Sequence, residues 1–163
     1  MKKTRVLAFV IFLVACSGPA FAGCGSNPSK LTQAQVETIL PGNFACARST
    51  TLDPPGWNER HLGSAPGGTL QEQHEGGSTV ETVGTWATST QGGNGRVTHT
   101  YSATVAPIYE IAVVADGNCN PNCTNLPQNY QFCPVGGPGA PAAPITVLVT
   151  TAAPTLAGCP SNP

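Results

Sequence analysis

A few histidines, carboxylates and aromatic residues are spaced so that simple alternation would gather them for chemistry. Trp57, Glu59 and His61 stand two residues apart in succession, Glu72 and His74 do the same, and His99 lies between Val97 and Tyr101. On an extended strand, residues two apart share one face. If those faces meet, Glu59, His61, His74 and His99 offer three imidazoles and a carboxylate, the donor types that zinc and similar ions take. The competing reading keeps them as separate side chains of a threonine-rich sheet, since no diagnostic metal spacing joins them. Under that reading the protein carries no cofactor. Trp57, Trp86, Tyr101 and Tyr109 are the candidates for lining a small apolar ligand. Their alternative role is as core or rim aromatics, because such side chains bury the most area.

Other chemistry is hard to find. The chain holds no Gly-rich phosphate loop ending in Lys-Ser or Lys-Thr, no G-x-S-x-G elbow, no H-E-x-x-H, no C-x-x-C-H and no dinucleotide fingerprint. No residue is assigned a catalytic role, and the expectation is a protein that is not an enzyme.

The elements that must position these residues are strands. One short helix is expected from Gln33 to Leu40: Thr32 caps its first turn with Gln35 reaching back, Leu31 staples onto Val36, and Pro41-Gly42 ends it. Strand patterns follow at 43–48, 56–62, 69–74, 79–89, 96–105, 108–115, 129–134 and 145–150. They are separated by turn clusters such as Asp53-Pro54-Pro55, Ala65-Pro66-Gly67-Gly68 and Gly92-Gly93-Asn94-Gly95. Val97, His99 and Tyr101 alternate with Thr98 and Thr100, and Tyr109, Ile111 and Val113 alternate with Glu110. Strands with one apolar side predict a mainly β fold, a single antiparallel β-domain of about eight strands, barrel-like or sandwich-like, with the helix covering one end or an open face. The predicted organisation is a signal at 1–22, a linker at 23–30, the β-domain at 31–150 and a tail at 151–163. The charge-free Pro, Gly and Ala run at 134–144 reads as a semi-rigid linker before the last strand.

The N-terminus carries Lys2, Lys3 and Arg5, then an apolar run from Val6 to Val14, then Ala20-Phe21-Ala22 before Gly23. This is the pattern of a secretion signal cut after Ala22. Leu13-Val14-Ala15-Cys16 resembles a lipobox, and the second route acylates Cys16. The expected location is therefore periplasmic or secreted, or, by the second route, an outer-membrane lipoprotein held through Cys16. The apolar run is too short for a membrane-spanning helix, which needs about 20 residues.

Export fixes how the cysteines are read, because thiols outside the cytoplasm tend to pair. Beyond residue 22 stand Cys24, Cys46, Cys119, Cys123, Cys133 and Cys159. Sequence cannot choose among the fifteen pairings of six cysteines, but three hints exist. The termini nearly repeat Gly-Cys-Gly/Pro-Ser-Asn-Pro, which suggests a Cys24–Cys159 clasp; Cys119-Asn120-Pro121-Asn122-Cys123 could close on itself as Cys119–Cys123; and Cys46–Cys133 would join the early and late strands. Cys119 and Cys123 ligating a metal with Cys133 is the alternative.

Lysine and arginine number 7 and the acids 8, with charged residues only 9% of the chain. Once 1–22 is removed, Lys30, Arg48, Arg60 and Arg96 face all eight acids. Such a surface repels phosphate backbones, so nucleic acid is not an expected partner. The expected partner is an envelope protein or a small apolar ligand, with a membrane reached only through a lipid on Cys16.

Across residues 31–133, the order of helix, Gly42-Asn43-x-x-Cys46, Trp57-x-Glu59-x-His61, Val83-Gly84-Thr85-Trp86 and Tyr130-x-Phe132-Cys133 resembles small exported bacterial β-domains of unassigned function. That resemblance implies one export-stabilised β-domain and a Cys46–Cys133 link, and no activity. Gly84-Thr85-Trp86 also resembles the Gly-x-Trp of lipocalin-like barrels, although it lies mid-chain here and near the start there. The expected function is an exported binding or structural module, with a metal-binding protein or a lipocalin-like small-ligand carrier as alternatives.

Overall fold

The structure, a computed structural model, describes Cys24 and residues 29–49, 56–73, 80–114 and 123–162. The expected signal at 1–22 with Cys16, and also His74 and Cys119, lie outside the described residues. Helix α1 (Gln33–Ile39) is followed by β1 (Phe44–Ser49), β2 (Gly56–Ser64), β3 (Gly67–Gln73), β4 (Val80–Gln91), β5 (Asn94–Thr100), β6 (Ile108–Val113), β7 (Gln128–Gly136), β8 (Ile145–Thr150) and β9 (Ser161–Asn162). Each of β1 to β8 pairs antiparallel with its sequence neighbour, and β8 pairs with β1. The result is a closed, eight-stranded up-and-down barrel. A sandwich is excluded by the β1–β8 pairing, which leaves neither sheet edge free.

Closure is local and needs help. Only Phe44 to Cys46 of β1 pair with β8, against Thr150, Val149 and Leu148. Farther along, β1 turns to β9, which runs parallel beside Arg48 and Ser49. The Asn162 side chain fills the gap that opens: its Oδ1 accepts from Thr146 N at 2.7 Å, and its Nδ2 donates to Thr146 O at 3.0 Å and to Arg48 O at 3.1 Å. An amide thus stands in for a strand's backbone groups, which would otherwise be left without partners. The segment expected to be a tail is the seam of the barrel.

Alternation then sorts side chains. Ala45, Ala47, Leu70, Trp86, Val97, Tyr109, Ile111, Tyr130, Phe132, Val147 and Val149 share one buried core with Leu31, Val36, Ile39 and Leu40 of the helical segment. The helix caps as expected, with Thr32 and Gln35 forming a reciprocal capping box. It closes one end of the barrel by packing on β4 and β5. Thr88 Oγ1 donates to Glu37 Oε1 at 2.6 Å, and a Cβ on Gly95 would lie 2.6 Å from the Thr32 carbonyl, so only glycine admits this approach. The adjoining β4–β5 hairpin turns on Gly92 and Gly93, with φ of 60° and 86°, as a tight two-residue turn requires.

Three organisational expectations are corrected. The described residues of the expected 23–30 linker are tied to the barrel: Cys24 is buried, Val113 N donates to Ser29 O at 3.1 Å, and the next residue, Leu31, donates its N–H to Ile111 O at 2.8 Å, where β5 and β6 diverge. Lys30 and Arg96 both pair with Glu110 on the outer face, at 2.7 Å and 2.9 Å. The 134–144 run begins inside β7 and continues as the β7–β8 loop, so it belongs to the barrel. The fifth strand ends at Thr100 rather than Val105, because the Ser102 hydroxyl accepts from Thr104 N and Val105 N and makes a turn.

The disulfides are Cys24–Cys133 and Cys46–Cys159, with Cα atoms 5.1 Å and 5.6 Å apart. The expected Cys46–Cys133 and Cys24–Cys159 bonds are therefore overturned. Strand β8 lies between β7 and β1, and two strand spacings of about 4.8 Å each put Cys46 and Cys133 beyond the roughly 7 Å that a disulfide spans. Each observed bond fastens one terminal segment to the strand it covers. Cys133 is thereby also removed as a metal ligand. Cys123 is disulfide-bonded as well; the Cys119 end of the expected Cys119–Cys123 bond lies outside the described residues.

Non-reducing peptide mapping should recover Cys24 linked to Cys133 and Cys46 linked to Cys159. Replacing Cys46 and Cys159 together by alanine should cost about 2–5 kcal/mol in urea unfolding, as loss of a bond closing a long loop does. Recovery of a Cys46–Cys133 peptide would contradict this topology.

Candidate functional site

At the end of the barrel away from α1, the interior is hollow. A cavity of about 410 Å³ is lined by Trp57, Glu59, Glu72, His99, Tyr101, Tyr109 and Phe132, with Val105, Pro107, Gly139, Pro141 and Ile145 around its mouth. Trp57 and Glu59 come from β2, Glu72 from β3, His99 from β5, Tyr109 from β6 and Phe132 from β7, each at an inward position of its strand. The mouth is built by the β5–β6 and β7–β8 connections. The floor is aromatic. His61 sits 5.6 Å from the Trp86 ring and 5.0 Å from His99, which is in turn 5.7 Å from Tyr109 and 6.1 Å from Phe132.

The polar groups form a chain through this floor. His61 Nε2 lies 3.1 Å from His99 Nε2, so one ring must donate and the other accept. On its other side, His99 Nδ1 lies 3.5 Å from the Tyr101 hydroxyl and 3.7 Å from Glu59 Oε2. The Tyr101 hydroxyl also hydrogen-bonds the Glu59 carboxyl. Glu59 Oε2 is buried and, among the described residues, has no hydrogen-bond partner.

Burial sets the protonation states. It drives the Glu59 carboxyl up to about 7, against the hydrogen bond from Tyr101 and with the help of the nearby Glu72 charge. Burial lowers His99 to about 3 and, with the neighbouring His99, takes His61 well below its ordinary value. Both imidazoles are therefore neutral at neutral pH. Burial and the Glu59 charge raise the Tyr101 and Tyr109 phenols, which stay protonated.

Of the residues expected to bind metal, Glu59, His61 and His99 do come together, but His99 stands between the other two and uses a different nitrogen toward each. Among the described residues no group of three or more His, Cys, Asp or Glu side chains could hold an ion. His74 lies outside them. Of the expected ligand-lining aromatics, Trp57, Tyr101 and Tyr109 line the cavity. Trp86 does not: it is buried against His61 and donates Nε1–H to Leu62 O at 2.9 Å, so it is part of the floor's support. Sequence reasoning missed Phe132 and the mouth residues Gly139 and Pro141. Alternation with Tyr130 could have found the first, whereas a run read as a linker concealed the others.

No family model matches the chain, and no curated protein or solved structure matches it.

The linkage has a definite sign. Glu59, raised on folding, adds stability that is present below about pH 4.5 and is lost as pH rises through about 7. The histidines act oppositely: their neutral burial adds stability above about pH 6.5 that is lost as pH falls. Replacing Glu59 by glutamine should isolate the first effect. The variant's stability relative to the parent should rise by about 3 kcal/mol between roughly pH 4.5 and pH 8, at about 1.4 kcal/mol per pKa unit. Urea unfolding curves whose difference stays constant over that range would contradict a buried, raised Glu59.

Proposed function

We propose that this chain is an exported carrier or sensor that binds a small, largely apolar molecule inside its barrel. The observation that carries this reading is the cavity of about 410 Å³, walled by aromatic rings and holding a few convergent polar groups. Binding sites for small ligands have this size and make-up, and the mouths of β-barrels are a common place for them. A purely structural module would be expected to fill its interior with side chains. Export rests on the charged and apolar N-terminal pattern, and the disulfides on both outer flanks of the barrel are compatible with an oxidising compartment.

The neutral fluorophore N-phenyl-1-naphthylamine should bind saturably with one site, its emission blue-shifted. Replacing Ile145 at the mouth by tryptophan should weaken it about tenfold or more, while Thr85→Trp on the exposed outer face of β4 should leave it unchanged. Absence of saturable binding, or equal loss in both variants, would contradict the reading.

A further inference from the structure

Electrostatically the cavity is one-sided. Glu59 and Glu72 both line it, and among the described residues no lysine or arginine does. All four basic residues among the described ones lie outside: Lys30 and Arg96 clamp Glu110, Arg48 donates to the Cys159 carbonyl at 3.0 Å, and Arg60 is exposed with its guanidinium 5.4 Å from the Phe44 ring centre. The interior histidines supply no compensating charge, since burial keeps them neutral. Glu59 is 3% exposed, and among the described residues its Oε2 has no hydrogen-bond partner. A buried carboxyl in that condition is costly unless a donor or a cation meets it.

The surrounding rings favour the same kind of visitor. Trp57, Tyr101 and Tyr109 line the cavity around the carboxyl, and aromatic faces attract a cation near their centres. The groups packed around Glu59 are Glu72 on β3, His99 on β5, Tyr101 just beyond the end of β5, Tyr109 on β6 and His61 on its own strand; the neighbouring β1 contributes Ala45 and Ala47 inward. None of these is a cation at neutral pH.

Resting on the reading of the barrel as a small-ligand binder, we infer that its ligand is an amphiphilic amine, whose ammonium group meets Glu59 within the aromatic walls and whose apolar body fills the rest of the cavity. An anionic amphiphile such as a fatty acid is disfavoured, because its carboxylate would face Glu59 and, among the described residues, no cationic side chain. A neutral alcohol would bind with its hydroxyl near Glu59 and Tyr101, without the charge attraction. Because the ammonium requires an ionised Glu59, binding must expel the proton that Glu59 carries in the empty barrel at mildly acidic pH.

The probes are octylamine, octanol and octanoate, each displacing N-phenyl-1-naphthylamine from the full-length exported protein. At about pH 8.5, octylamine should bind at least tenfold more tightly than octanol, and octanoate more weakly than either. Glu59→Gln should reduce the amine-to-alcohol ratio to about one. Should that variant fail to fold, calorimetry on the parent at about pH 6, in buffers of different ionisation enthalpy, still decides: octylamine should release close to one proton, falling to none at about pH 9. Equal affinity for amine and alcohol, a preference for octanoate, or no proton release would overturn the amine assignment while leaving the barrel a binder. Failure of all three probes and of the fluorophore would remove the binding reading itself.

Discussion

Everything inside this protein follows from the seam between β1 and β8. A meander of eight strands becomes a barrel only where its first and last strands pair, and here that pairing spans Phe44 to Cys46 alone. The rest of the seam is held by β9 and the Asn162 amide, which answers the backbone of both Thr146 and Arg48. Cys46–Cys159 fixes the segment that carries Asn162. With the edges joined, every second side chain must point into a limited interior, whatever its polarity. Glu59, His61 and His99 are enclosed for that reason.

Enclosure has unequal consequences at the two ends. Beneath α1, Val113, Val147 and the Tyr130 ring help fill the barrel, and Val36, Ile39 and Leu40 of the helical segment join the same core. Toward the other end, a space remains among the rings of Trp57, Tyr101, Tyr109 and Phe132. The polar side chains lie at that transition, where they reach each other but only partly satisfy one another. His61 and His99 share one hydrogen bond, Tyr101 serves Glu59, and one carboxyl oxygen is left over. Functional sites are where natural proteins keep such unresolved polarity at a cost in stability.

Much of the fold was legible in local pattern. Alternation and turn clusters gave all eight barrel strands, and Thr32 with Gln35 gave the start of the helix. The residues that share interior faces, Trp57 with Glu59 and His61, and Val97 with His99 and Tyr101, were readable for the same reason. Pairing order was not, since no local signal says that Phe44 will sit opposite Thr150, and that order alone separates a barrel from a sandwich. The disulfides depend on it too: Cys46 and Cys133 both end up on the outside, but with a strand between them. The charge-free run after Cys133 looked like a linker because proline and glycine serve a barrel-mouth loop as readily as a tether. Its role as a wall of the cavity emerges only once β7 and β8 are paired.

The central claim is that a carboxyl is held inside this barrel without a compensating charge. Its most direct test is a carbon NMR titration of the protein labelled at the glutamate side-chain carboxyl carbons, with Glu59→Gln identifying the resonance. The account predicts that the Glu59 signal titrates near 7, where burial places it, and is apart from the other glutamates. A Glu59 carbon that titrates at or below the ordinary value of about 4.5 would show the carboxyl to be solvated or paired, and would contradict the account.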